Sequence, residues 1–178
     1  RGGDGGYMVI VQVENLAQEQ VRLAETTIRT VFADDRGNAK AIQLHPKDVP
    51  GAIPSLDEMS PPESWFWAGD GWERRAGRYA RGILAVEIRS PDPKATGLCW
   101  AEAYGIELMP ADNGWRLEMS GTEIRFTRDT AAAEPALMAI DVDAVDLPAI
   151  CAAADDMGLE RHDHVVSVCG VDFNFLSH

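Results

Sequence analysis

A chain of 178 residues, 46% of them hydrophobic and 25% charged, carries enough apolar material for one domain or two small ones. Its formal net charge of −13 leaves no basic surplus for nucleic-acid phosphates or for an anionic membrane surface. No apolar run reaches the ~18 residues a membrane-spanning helix needs.

The chain opens Arg1-Gly2-Gly3-Asp4-Gly5-Gly6, which lacks the pattern of a signal peptide and reads as an interior linker. On that reading the numbered chain begins inside a longer protein. Three segments then follow one plan. Each begins with a strand-like run: Tyr7 to Val13, Gly82 to Ile88, and Ala136 to Val142. Each run holds one acidic or amide residue just before its final β-branched residue: Gln12, Glu87 and Asp141.

Helix-start signals come next: Glu14-Asn15, Ser90-Pro91-Asp92-Pro93, and Asp146-Leu147-Pro148. They predict helices from Leu16 toward Ile28, from Ala95 to Tyr104, and from Ala149 to Met157, the last closed by Gly158. Each segment ends in strands introduced by a glycine: Gly51, Gly121 and Gly170. The predicted unit is therefore strand, helix and two or three strands, repeated three times.

The stretch 57–81 breaks the plan. It holds Pro61-Pro62, three of the five tryptophans (Trp65, Trp67, Trp72) and four arginines (Arg74, Arg75, Arg78, Arg81). A connection of this length is usually functional or ties domains together. The cysteines Cys99, Cys151 and Cys169 show no C-x-x-C spacing. They read as reduced, mostly buried thiols of a cytoplasmic protein.

A βαβββ unit used in pairs resembles the vicinal oxygen chelate superfamily, the glyoxalase, bleomycin-resistance and dioxygenase group. The segment His45-Pro46-Lys47-Asp48-x-x-Gly51-Ala52-Ile53-x-Ser55-Leu56 is similar to the His-Pro-Lys-x-x-x-Gly-Val-Leu-x-Glu-Leu segment of methylmalonyl-CoA epimerases. The run Ser64 to Gly69 is similar to bacterial glyoxalase-like proteins. The resemblance implies an α+β fold of βαβββ units forming curved mixed sheets, with ligand bound in the sheet cup. Units of this superfamily pair, so three units imply a fourth missing upstream, or a second chain in its place. The expected division is residues 1–60 as a single unit of an N-terminal domain, 61–81 as a Trp/Pro-rich connection, and 82–178 as a two-unit C-terminal domain.

Active members of the superfamily hold a divalent metal with His or Gln on a unit's first strand and Glu on its last. The metal chelates adjacent substrate oxygens and stabilises an enolate, or activates oxygen when it is iron. The matching positions here are Met8, Ile83 and Leu137, and Ser55, Arg125 and Asn174. None is His, Gln, Glu or Asp, so no metal ligand is expected from this chain. His162 and His164 share a face if they begin a strand, but no third ligand accompanies them. His45, beside Pro46, is a candidate for hydrogen bonding rather than catalysis.

Strand parity places Met8, Ile10, Gln12, Ile53, Ser55 and Asp57 on the cup face of the first unit. It places Ile83, Glu87, Glu123, Arg125, Asp141, Asp172 and Asn174 on that of the other two. Arg125 could anchor a carboxylate or phosphate, or pair with Glu123, Asp172 or Glu87. The tryptophans could cap an apolar ligand, anchor an interface, or plug the connection onto the sheet.

The sequence thus points to a metal-free glyoxalase-like protein that binds a small organic ligand, with no reaction assigned. Its candidate ligand-binding residues are Gln12, His45, Ser55, Asp57, Trp65, Trp67, Arg125 and Asn174. One alternative is a metal-dependent lyase, epimerase or dioxygenase whose ligands come from a missing segment or a partner in a homodimer. Another is a structural or interaction domain.

Overall fold

The computed structural model describes residues 4–74, 77 and 79–177. Three βαβββ segments follow one another. The first comprises β1 (Met8–Gln12), α1 (Leu16–Leu23), β2 (Thr30–Asp35), β3 (Ala39–Leu44) and β4 (Ile53–Met59). The second comprises β5 (Ala80–Ser90), α2 (Pro93–Tyr104), β6 (Met109–Ala111), β7 (Gly114–Met119) and β8 (Thr122–Arg128). The third comprises β9 (Ala136–Ala144), α3 (Leu147–Asp156), β10 (Glu160–His162), β11 (Val165–Val168) and β12 (Val171–Leu176).

Local chemistry explains the helix starts. The side chains of Asn15, Asp92 and Asp146 accept from the backbone N–H three residues on, at 3.0, 3.1 and 3.0 Å. Proline follows in the first turn of α2 and α3, where its missing N–H costs nothing. The first helix stops at Leu23 rather than running toward Ile28. Thr26 ends it, accepting from Ile28 N–H and donating to Leu23 O. The glycines before the closing strands have φ of 113° (Gly51), 79° (Gly121) and 75° (Gly170), a region that favours glycine.

The sheets have the orders β1-β4-β3-β2 and β10-β11-β12-β9-β5-β8-β7-β6. In every segment the first strand runs parallel to the last. The second and third segments join through antiparallel pairing of their first strands, β5 and β9. In the first segment, β1 pairs with β4 on one side only and forms the edge of its sheet.

The core lies where the helix side of both sheets meets α2. Trp100 and Phe126 are fully buried there with Leu44, Leu56, Ile88 and Leu117. Trp100 Nε1 donates to Pro50 O at 2.7 Å. Arg22 of α1 donates to the carbonyls of Glu102 and Ala103. These bonds satisfy the polar edges of a packing whose main term is apolar burial.

The opening glycines are packed rather than loose at Gly6. It bridges Leu137, and a Cβ there would come within 2.5 Å of that side chain. The connection after β4 forms three short 3₁₀ turns, Pro62–Ser64, Phe66–Ala68 and Trp72–Arg74. Arg75 and Arg78 lie outside the described residues. No described helix is long and apolar enough to cross a membrane.

Candidate functional site

Parity carries the side chains of β1 and β4 onto a concave face. Met8, Ile10, Ser55 and Asp57 line a cavity of about 190 Å³ there. Phe32 and Asp34 of β2 and Ala41 and Gln43 of β3 complete its floor and wall. The antiparallel register sets Ala41 opposite Asp57 and Gln43 opposite Ser55. The connecting segment covers the cavity with Trp67. Trp65 stands at a left-handed φ of 40°, where the chain turns between two 3₁₀ turns. Phe66 meets the Trp67 ring edge-on at 5.1 Å.

Asp57 is the chemical centre of this cup. It is 2% exposed, and Ser55 Oγ donates to its Oδ1 at 2.6 Å. Burial pushes its carboxyl above the ordinary aspartate range, while the Ser55 hydroxyl and the Trp67 indole draw it partly back. Trp67 Nε1 is itself buried, and it acts on Asp57 without the alignment of a direct hydrogen bond. Asp34 pairs outward with Arg36 at 2.8 Å.

The other expected residues are elsewhere. Gln12 donates through Nε2 to Pro62 O at 2.9 Å, tying β1 to the first 3₁₀ turn. Trp65 lines a second, largely apolar cavity of about 370 Å³ between β1 and the eight-stranded sheet. His45 does not reach the cup. Its Nδ1 accepts from Lys47 N–H, and its backbone closes the turn after β3.

Arg125 and Asn174 belong to the other concave face, and both converge on Asp141. Arg125 Nη2 is 2.7 Å from Asp141 Oδ2, and Asn174 Nδ2 donates to Asp141 Oδ1 at 2.7 Å. Glu123 at 3.6 Å and Glu87 at 4.0 Å complete the ring around Arg125. Ion pairs hold Arg125 on this face, which also lines a cavity of about 370 Å³ beside Trp115, Arg116 and Glu123. Asp141 is the chief partner, where the sequence offered Glu123, Asp172 or Glu87. Arg81 likewise pairs with Asp143 at 2.8 Å.

The resemblance would place metal ligands at Met8, Ile83 and Leu137 and at Ser55, Arg125 and Asn174. Met8 and Ser55 offer no His or Glu, and Arg125 fills its position with a cation. Among the described residues, no group of three or more His, Cys, Asp or Glu is placed to hold a metal ion. His162 and His164 do not share a strand face. His162 ends β10, Asp163 turns with φ 51°, and β11 begins after His164. Cys169 is exposed, while Cys99 and Cys151 are half-buried, so the expected burial of the thiols does not hold.

Phe32, Asp34, Ala41 and Gln43 escaped the sequence reading. The signal was parity in 30–35 and 39–44, but no repeat marked those strands as the wall of the cup.

No protein-family model and no curated protein sequence matches the chain. Solved structures do match its fold. A manganese(II)-bound glyoxalase from Novosphingobium aromaticivorans aligns with TM-score 0.63 and 9% identity, over 96% of this chain and 62% of that one. A hypothetical protein from Staphylococcus aureus aligns with TM-score 0.61 and 8% identity, over 95% and 64%. BphC, a halotolerant catechol dioxygenase, aligns with TM-score 0.58 and 9% identity, over 96% and 67%. The chain spans less than two thirds of the first two structures.

Proposed function

We propose that this protein, which has the fold of the vicinal oxygen chelate proteins, binds a small organic molecule in the cup of its four-stranded sheet. On this reading its own residues supply no metal ligand. The observation that carries it is the cavity around Asp57, walled by four strands and covered by Trp67. Ligand sites combine such an apolar lining with a few converging polar groups. Here the apolar part is Met8, Ile10, Phe32 and Ala41, and the polar groups are Asp57, Ser55 and Gln43. The eight-stranded sheet is the weaker candidate, because Arg125 is already neutralised by Asp141.

A fragment panel read by ligand-observed NMR tests the proposal. Cup binding predicts hits that disappear in both Ala41→Leu and Ser55→Leu, each of which fills the cavity from a different strand. Hits that survive both substitutions place binding elsewhere and overturn it. A metal-dependent lyase, epimerase or dioxygenase would need ligands from outside these residues. A second identical unit would bring only another Met8 and Ser55 to the ligand positions. Metal analysis of the purified protein separates the two readings. Stoichiometric divalent metal that survives dialysis overturns the metal-free one.

A further inference from the structure

We infer that the cup takes a small protonated amine, with Asp57 as its counter-ion and Met8, Ile10 and Phe32 around its hydrocarbon body. This rests on the cup reading above and names the ligand class.

The two concave faces of the molecule supply the argument. Counted from the glycine that opens each last strand, Ser55, Arg125 and Asn174 stand at the same position. On the eight-stranded sheet, the carboxylate of Asp141 receives the Arg125 guanidinium at 2.7 Å. Its other oxygen receives the Asn174 amide. That face therefore satisfies its buried acid from within. In the first unit the equivalent of Arg125 is Ser55, which gives the acid one hydroxyl donor and no charge. The shorter side chain also leaves space, and the cavity lies beside it.

No described residue lining the cavity is Lys, Arg or His. The charged groups facing Asp57 are few. Asp34 of β2 has the same sign and is partly offset by Arg36 outside. The Tyr104 phenol of α2 is neutral, with its pKa pushed up by burial and by the Asp57 charge. An anionic ligand would meet Asp57 and Asp34 without a compensating cation. A neutral ligand would leave the buried carboxylate without a counter-charge. An ammonium group supplies both the missing charge and up to three N–H donors, and charge-assisted bonds are the stronger kind.

The test uses three probes of one shape: benzylamine, benzyl alcohol and benzoate. Calorimetric and NMR titration of the intact chain should show benzylamine binding about tenfold or more tightly than benzyl alcohol, a gap of ~1.4 kcal/mol. Benzoate should not bind. In Asp57→Asn the amine and the alcohol should bind alike, because the acid that distinguishes them is gone. Equal or tighter binding of the alcohol or benzoate to the wild type overturns the amine assignment while leaving the cup reading intact. An amine preference that persists in Asp57→Asn also overturns it. Failure of all three probes to bind, together with a fragment panel empty at the cup, overturns both readings.

Discussion

Asp57 and Asp141 are buried acids on the concave faces of the two sheets, and their neighbours give them different fates. Asp141 sits against a guanidinium and an amide. Asp57 has a serine hydroxyl bonded to it and, among the described residues, no cation beside it in the cavity lining. Burial raises its pKa above the ordinary value of 3.8, so the folded protein holds this proton to higher pH than the unfolded chain does. Between the two values the folded state binds more protons, and stability falls as pH rises. The contribution is complete below 3.8 and is lost as pH passes the folded value. Asp57→Asn cannot ionise. Its melting temperature should therefore rise relative to wild type as pH climbs from the acid side to neutrality. Parallel melting profiles for the two proteins would contradict this.

The three helices begin alike, with an Asn or Asp cap, and the repeated signals reflect that shared requirement. α2 differs from the others in what it carries. Its Trp100 and Tyr104 pack between the sheets, and Tyr104 Oη donates to Val9 O at 3.4 Å. Weakening this helix therefore weakens the joint between the sheets. Asp92→Ala removes the bond to Ala95 N–H and should cost about 1 kcal/mol. A urea titration would show a lower midpoint with unchanged slope. An unaltered midpoint would mean that Pro93 alone suffices to start the helix. The connection 57–81 shows the opposite relation between sequence and form. Its composition announced an exception but not a shape. Trp72 Nε1 ties its 3₁₀ turns together by donating to Ser64 O, and Gln12 Nε2 of β1 anchors the first of them at Pro62 O.

Across the molecule, the first strands β5 and β9 pair with each other, and among the described residues no strand pairs with the equivalent edge of β1. Ile53 N–H donates to Tyr7 O and Val13 N–H to Asp57 O. The odd-numbered residues of β1 thus face β4, and the amides of Met8, Ile10 and Gln12 face outward. An edge with exposed Tyr7 and Ile10 is a template for another strand. We propose that a second copy of the chain pairs there, β1 against β1. Sedimentation equilibrium should find a dimer, and Ile10→Pro, which removes an outward N–H, should yield the monomer. A wild-type chain that stays monomeric up to high concentration overturns the pairing.

The repeated order of strand, helix and strands was legible in the sequence, because caps, glycines and alternation are local requirements of the chain. So was half of the cup, because parity alone sends Met8, Ile10, Ser55 and Asp57 to one face. What parity cannot supply is partnership. Whether Arg125 meets Asp141 or a ligand depends on the distance across two neighbouring strands. Whether Gln12 enters the cup depends on where Pro62 stands. His45 fell away from the site because a turn used its ring. The walls from β2 and β3, and the cover from Trp67, come from residues far apart in the chain that only the folded sheet brings together.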